Sequence, residues 1–306
     1  MDEIDVAISM MLMNNSRISY SELADIFKIS INSIHKRVKN LVEMGIIRKF
    51  TTYLNVNLIN VIMCGVSKAE NFEKINDKLG KNGFIYWVCQ ASGKFLLIGA
   101  FIRNLNELDA IVSFVRETCK IDDLFVGLDK STSTIQMVNF ENVQLTKLDY
   151  LIINSLKENS RKNVTDIADE IGASVKTIRK RLNNLLEKRL ITFSIEWLPD
   201  KSHDVFSLIR VKLKPNVKID NQSLREDLRK EYGQKIIIVW FFSNIPDQIF
   251  LFFWTSAMKE LQELETSLSD KFESVNVNII YKGDVYPTWR DRLLQEKLNE
   301  FNSNSH

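Results

Sequence analysis

The 306-residue sequence predicts an α+β chain in which two winged helix-turn-helix domains alternate with two ferredoxin-like βαββαβ domains. Three observations carry that expectation. The stretch from Asn15-Ser16-Arg17 to Ile47 is written again from Asn159-Ser160-Arg161 to Ile191, at a constant offset of 144 and without a gap. Each copy places helix-start residues at helix-turn-helix spacing, and the first adds a Gly stop after its second helix. Each copy is followed by short strand and helix periods in the order β-α-β-β-α-β. A match this long is a duplicated structural unit rather than shared composition. The expected boundaries are 1–54 and 144–198 for the winged helix-turn-helix domains, 55–143 and 199–285 for the α/β domains, and 286–306 for a last helix and tail.

Residues 3–14 read as a first helix with Ile4, Ile8, Met11 and Leu12 inward. Asp5, repeated as Asp149, lies near the helix start, where a carboxylate offsets the dipole. Ser19 with Glu22 forms a capping box and opens a short helix. After the tight Lys28-Ile29 connection, Ser30 caps a second helix that runs to Met44 and stops at Gly45. At 100° per residue, Ile31, Ile34, Val38, Leu41 and Val42 share one side of that helix. Asn32, Ser33, Lys36, Asn40 and Glu43 share the other, flanked by His35 and Arg37. In the second copy Val175, Ile178, Leu182, Leu185 and Leu186 point inward; Lys176, Thr177, Lys180, Asn184 and Glu187 point outward, flanked by Arg179 and Arg181. Residues 46–50 and 192–197 read as wings, the first carrying Arg48 and Lys49.

The period then changes. Residues 61–67, 84–91, 95–102 and 124–128 read as strands, with helices at 71–79 and 104–119. The second half repeats the order with strands at 205–213, 236–242, 249–254 and 275–281 and helices at 224–231 and 259–268. Residues 134–140 suggest an edge strand, and 289–298 a last amphipathic helix.

Charge points to nucleic acid locally rather than in total. The net charge is only +2, but no acidic residue occurs from 26 to 42 or from 171 to 186, where Lys28, Lys36, Arg37, Lys39, Lys176, Arg179, Lys180 and Arg181 stand. Asn32, Ser33, Lys36, Asn40, Lys176, Thr177, Lys180 and Asn184 are therefore the candidates for reading bases. Arg17, His35, Arg37, Lys39, Arg48, Lys49, Arg161, Arg179 and Arg181 are the candidates for phosphate. The expected partner is double-stranded DNA. Cys64, Cys89 and Cys119 are odd in number and lack metal-ligand spacing, so buried thiols are expected and neither metal nor cofactor. The apolar runs are too short to span a bilayer, and the start lacks a basic n-region; a cytoplasmic, nucleoid-associated protein is expected.

The chain resembles the Lrp/AsnC family of prokaryotic transcriptional regulators. The likeness lies in Ile4-Asp5 with Ile8, Asn15-Ser16-Arg17-Ile18-Ser19 with Leu23-Ala24, Ser30 with Ile34, and Arg37-Val38 with Leu41, Glu43 and Gly45-Ile46-Ile47. It recurs through Leu148-Asp149, Asn159-Ser160-Arg161, Ile167-Ala168, Ser174, Arg181-Leu182, Leu185 and Leu190-Ile191. Arg189 stands where Gly45 does, so that helix is expected to end differently. The resemblance implies a fused pseudo-dimer that pairs its α/β domains through their sheets, and a homodimer (a pseudo-tetramer) or larger assembly on DNA. Unequal reading helices, Asn32 against Lys176 and His35 against Arg179, favour an asymmetric site. Family members that sense amino acids use a turn that falls here at Gly93-Lys94, which lacks the usual Asp, and at Asn244 to Asp247, which lacks the Gly. A plain hairpin turn is the stronger reading, and no effector is assigned. Two alternatives remain. One is an architectural DNA-binding protein of low sequence preference. The other is an enzyme similar in layout to the sirohaem decarboxylases, which is disfavoured because His35, His203 and His306 are the only histidines and no catalytic constellation appears.

Overall fold

The structure, a computed structural model, describes residues 1–130, 145–215 and 220–303. The expected strand at 134–140 lies outside the described residues. In chain order the first half contains α1 (Glu3–Asn14), α2 (Tyr20–Phe27), α3 (Ile31–Glu43), β1 (Ile47–Leu54), β2 (Ile59–Val66), α4 (Phe72–Lys81), β3 (Ile85–Ala91), β4 (Phe95–Ile102), α5 (Leu108–Cys119) and β5 (Phe125–Leu128). The second contains α6 (Lys147–Lys157), α7 (Val164–Ile171), α8 (Val175–Glu187), β6 (Ile191–Trp197), β7 (Val205–Lys212), α9 (Asn221–Tyr232), β8 (Ile236–Phe241), β9 (Gln248–Thr255), α10 (Met258–Lys271), β10 (Ser274–Val285) and α11 (Trp289–Ser303). These elements form two compact units. One takes Met1–Ala7, Leu58–Ile135 and Pro199–Tyr286; the other takes Ile8–Asn57, Gln136–Leu198 and Pro287–His306.

The first unit holds both α/β halves in one sheet of order β5-β2-β4-β3-β10-β7-β9-β8, every neighbouring pair antiparallel. In each half the last strand lies beside the first, and the third lies between the first and second. β10 is longer than its apolar run. The strand expected at 275–281 continues through Lys282, Gly283 and Asp284, which pair with Gln90, Cys89 and Val88 of β3 and join the halves. At the opposite edges an isolated bridge links Asp129 to Phe242, and Lys130 N donates to Phe241 O at 2.7 Å. Both outer edges are thus capped by partners, which removes a template for aggregation.

Alternation along the strands explains the core. Val61, Met63, Ile85, Leu96 and Ile98 pack with Ile75, Leu79, Ile111 and Val115 from the helices. Ile209, Val211, Val239, Leu251 and Phe253 pack likewise with Leu228, Leu261, Leu264 and Leu268. The intervening residues Ile62, Cys64, Leu97, Phe206, Leu208, Phe250 and Phe252 are buried as well. On that side aromatic rings of the two halves meet: Trp87 lies 6.2 Å from Trp240, and Phe125 4.5 Å from Phe250. Strands buried on both faces read as continuous apolar runs, which is why 236–242 and 249–254 show no polar alternation. Each large side chain so buried contributes about 1.5–3 kcal/mol. The three cysteines are free and buried, and burial pushes the Cys64 and Cys119 thiols up to about 12.

The second unit gathers both helix-turn-helix copies with α11, whose Leu294 and Leu298 are buried and whose Phe301 ring sits 5.8 Å from Tyr150. The extended runs expected after each helix-turn-helix are strands shared between the two copies. β1 and β6 pair with each other, antiparallel, from Ile47↔Trp197 to Leu54↔Ile191. A one-residue bulge at Arg48 shifts the register, so past it Phe50 corresponds to Phe193 at an offset of 143.

Candidate nucleic-acid interface

Local capping sets both reading helices. The Ser19 hydroxyl accepts from Glu22 N at 3.0 Å and starts α2. Ser30 accepts from Ser33 N, and Ser174 from Thr177 N, each at 3.1 Å, and these start α3 and α8. The helices end alike, contrary to expectation. Met44 N bonds Asn40 O and Gly45 N bonds Val42 O; Lys188 N bonds Asn184 O and Arg189 N bonds Leu186 O. Gly45 sits at φ 75° and Arg189 at φ 53°, so the arginine is held in the left-handed conformation that glycine adopts freely. One turn earlier the roles reverse: Lys28 has φ 55° where Gly172 has φ 74°.

The faces of α3 and α8 follow the helical period, with three corrections. Ile34, Val38 and Leu41 are buried, as are Ile178, Leu182 and Leu185. Ile31, Val42 and Leu186, expected inward, are 47%, 42% and 38% exposed. The buried seam is narrower than the apolar count suggests because only three residues of each helix reach the core. Asn32, Ser33, Lys36, Asn40, Lys176, Thr177 and Lys180 are exposed, and Asn184 is half-exposed. Ser33 and Thr177 hydroxyls also touch their capping serines at 2.8 and 2.9 Å.

Several cations expected at phosphate are engaged within the protein. Arg17 donates to Ser160 O at 2.9 Å and Lys162 O at 3.2 Å; Arg161 donates to Ser16 O at 2.9 Å and Ile18 O at 3.1 Å. The Ser16 and Ser160 hydroxyls meet at 2.5 Å between them. This is a pseudo-twofold clamp: every contact recurs at an offset of 144. Each guanidinium also covers a ring, Arg17 over Phe193 at 5.2 Å and Arg161 over Tyr20 at 4.4 Å. Burial, then the neighbouring Arg161, lowers the Arg17 pKa from its ordinary value. Arg181 pairs with the buried Asp149 carboxylate at 3.4 Å, and Asp149 completes a capping box with Thr146. Arg48 bonds Glu196 at 2.5 Å, and Lys49 lies 3.2 Å from both Glu196 and Glu158. A basic residue beside a duplicated Asn-Ser motif carries no signal that separates a clamp from a phosphate contact; the paired backbone acceptors appear only in three dimensions. His35 and Arg179 are exposed, Arg37 is half-buried, and Lys39 lies 3.6 Å from Glu43 on the surface. His35 also meets the Tyr20 ring edge-on at 4.4 Å.

The turn residues of the first unit serve the sheet. Gly93 and Lys94 have φ 68° and 59°, the conformation of a two-residue hairpin turn. The Asn244 amide accepts from Leu128 N at 2.9 Å and donates to Val126 O at 2.8 Å, which ties β5 to the β8–β9 turn. Asp247 is exposed. Among the described residues, no three His, Cys, Asp or Glu side chains gather as a metal cluster, and no helix is long and apolar enough to cross a membrane.

Known proteins echo this layout. The winged helix-turn-helix DNA-binding family matches residues 1–48 and 145–192. An uncharacterized HTH-type transcriptional regulator of Pyrococcus furiosus is 32% identical over 133 residues, 41% of this chain and 90% of that protein. One from Pyrococcus abyssi is 26% identical over 140 residues, again 90% of its length but 44% of this chain. Among solved structures, the siroheme decarboxylase NirDL matches 98% of this chain and all of its own at a TM-score of 0.55 and 14% identity, a likeness of fold alone. The two helix-turn-helix copies, the capped helices within them and the relatives that match one half of the chain together place it: the chain belongs to the HTH-type transcriptional regulators.

Proposed function

We propose that this regulator reads one asymmetric duplex site with both of its unequal helices at once. The N-terminal halves of α3 and α8 enter the major groove, where Asn32, Ser33 and Lys36, and Lys176, Thr177 and Lys180, face base edges, with Asn40 and Asn184 one turn further along the same faces. His35, Lys39 and Arg179 face phosphate, with Arg37 at their half-buried margin. Arg17, Arg161, Arg181, Arg48 and Lys49 hold the reading units instead. One observation carries this reading: two exposed polar faces, each lying in an acid-free stretch, belong to a single unit joined by the Arg17–Arg161 clamp. A homodimer, hence a pseudo-tetramer, acting on the nucleoid in the cytoplasm completes the proposal, with no effector assigned and no enzymatic role.

Binding-site selection followed by a gel-shift titration tests it. Lys36→Ala and Lys180→Ala each weaken specific binding by about 1–3 kcal/mol while random DNA is bound as before. Arg179→Ala weakens binding to all sequences alike and lowers the salt slope by about one. If neither lysine changes specific affinity, the assigned faces are wrong. Equal affinity for random and selected DNA supports the architectural alternative.

A second reading rests on the whole-chain fold likeness to NirDL, which has been solved with an iron-uroporphyrin III analogue. His35 lies on α3 and His203 is exposed in a loop, so neither supplies a buried imidazole to the α/β unit. Titrating the protein with sirohaem and following the Soret band separates the readings: a saturable shift favours the enzyme.

A further inference from the structure

Ile31 is the first residue of α3, directly after the Ser30 cap. Its side chain is 47% exposed, although the helical period assigns it to the core. A single exposed aliphatic residue is ordinary on a protein surface. The setting of this one is not ordinary: it stands at the end of α3 that enters the groove, next to exposed Asn32, which is itself one turn from exposed Lys36. The major-groove edge of an A·T pair offers adenine N7 and N6–H₂, which an asparagine amide matches in a bidentate way, and the thymine 5-methyl group, which takes apolar contact. The corresponding residues of α8 are Val175, half-buried, and Lys176, exposed, and a lysine matches guanine O6 and N7.

We propose that the first turn of α3 selects A·T base pairs, with Asn32 on adenine and Ile31 against the thymine methyl, whereas α8 selects guanine through Lys176. This rests on the reading of α3 and α8 as groove-entering helices and adds the base identity that each half-site prefers. The amide and the aliphatic side chain stand about 100° apart around the helix axis, so they address neighbouring positions along the groove.

The test uses the full-length chain and a duplex obtained by selection. Each thymine of the two half-sites is replaced in turn by deoxyuridine, which removes only the methyl group. Replacement at one α3-half thymine lowers affinity about fourfold, the effect of one lost methyl contact. In the Ile31→Ala chain the same replacement has no effect. Selection with Asn32→Lys moves one position of the α3 half-site from A·T to G·C. Ile31 and Asn32 are exposed, so both variants fold, and circular dichroism confirms it. If selection yields a specific duplex but every deoxyuridine replacement is neutral, this inference falls while the groove reading stands. If selection yields no preferred sequence, both fall.

Discussion

Arg17 and Arg161 show how a cation's surroundings decide its use. Each guanidinium finds two carbonyl oxygens of the opposite helix-turn-helix copy. Charge-assisted bonds of this kind contribute about 1.5–3 kcal/mol each, so Arg17→Ala, which loses two, is expected to lower stability by about 3 kcal/mol or more in urea denaturation. Arg17→Lys is expected to lose most of the same, because an ammonium cannot reproduce the guanidinium's planar fork. A stable Arg17→Ala chain that has lost only DNA affinity would return this residue to the phosphate set. Arg189 offers the opposite case. Its φ of 53° is strained for a residue with a side chain, and Gly45 holds the same place without strain. Arg189→Gly is expected to raise stability by about 0.5–1 kcal/mol, measured as a higher urea midpoint. An unchanged or lower midpoint would mean that the arginine side chain's own contacts outweigh its backbone. The caps at Ser19, Ser30 and Ser174 could be read from the sequence because each is a local bargain between one hydroxyl and a backbone N–H three residues on. The clamp could not, since its acceptors lie 143 to 145 residues away.

The helices and strands follow the local periods of the sequence; their partners do not. The order β-α-β-β-α-β was legible twice, because alternation and the 3.6-residue period are short-range signals. The strand character of β1 was legible but its partner was not, since an extended run after such a helix has no mark that distinguishes a hairpin arm from a strand shared with a second copy. It pairs with β6, and the bulge at Arg48 lets Phe50 and Phe193 take matching places under Arg161 and Arg17. β10 grew by four residues through pairing with β3, where Lys282, Gly283 and Asp284 continue the expected strand. Close packing fixes the other sheet edge. A Cβ on Gly127 would stand 2.3 Å from the buried Phe242 ring. Gly127→Ala is therefore expected to destabilise the chain by about 1–3 kcal/mol, through displacement of that ring rather than through backbone conformation. A thermal melt that matches wild type would show that the β5 edge has slack the packing does not reveal.

At the scale of the whole chain, duplication is the organising fact. The helix-turn-helix copies keep an offset of 144, whereas Trp87 and Trp240, which meet across the sheet, are 153 apart. Up to the bulge at Arg48, the helix-turn-helix copies share the 144-residue spacing at which the clamp repeats contact by contact. The α/β halves have drifted while keeping strand order, because packing tolerates exchange among apolar residues of similar volume. We read the two helices, which differ at Asn32/Lys176 and His35/Arg179 but share one clamp, as readers of a single asymmetric operator per chain. Methylation-interference mapping on the selected duplex tests that most directly. With the wild-type chain two separate major-groove windows of interference are expected; Lys36→Glu removes one and Lys180→Glu removes the other. A single window, or two windows that both survive each substitution, would contradict the assignment of α3 and α8 as the two readers.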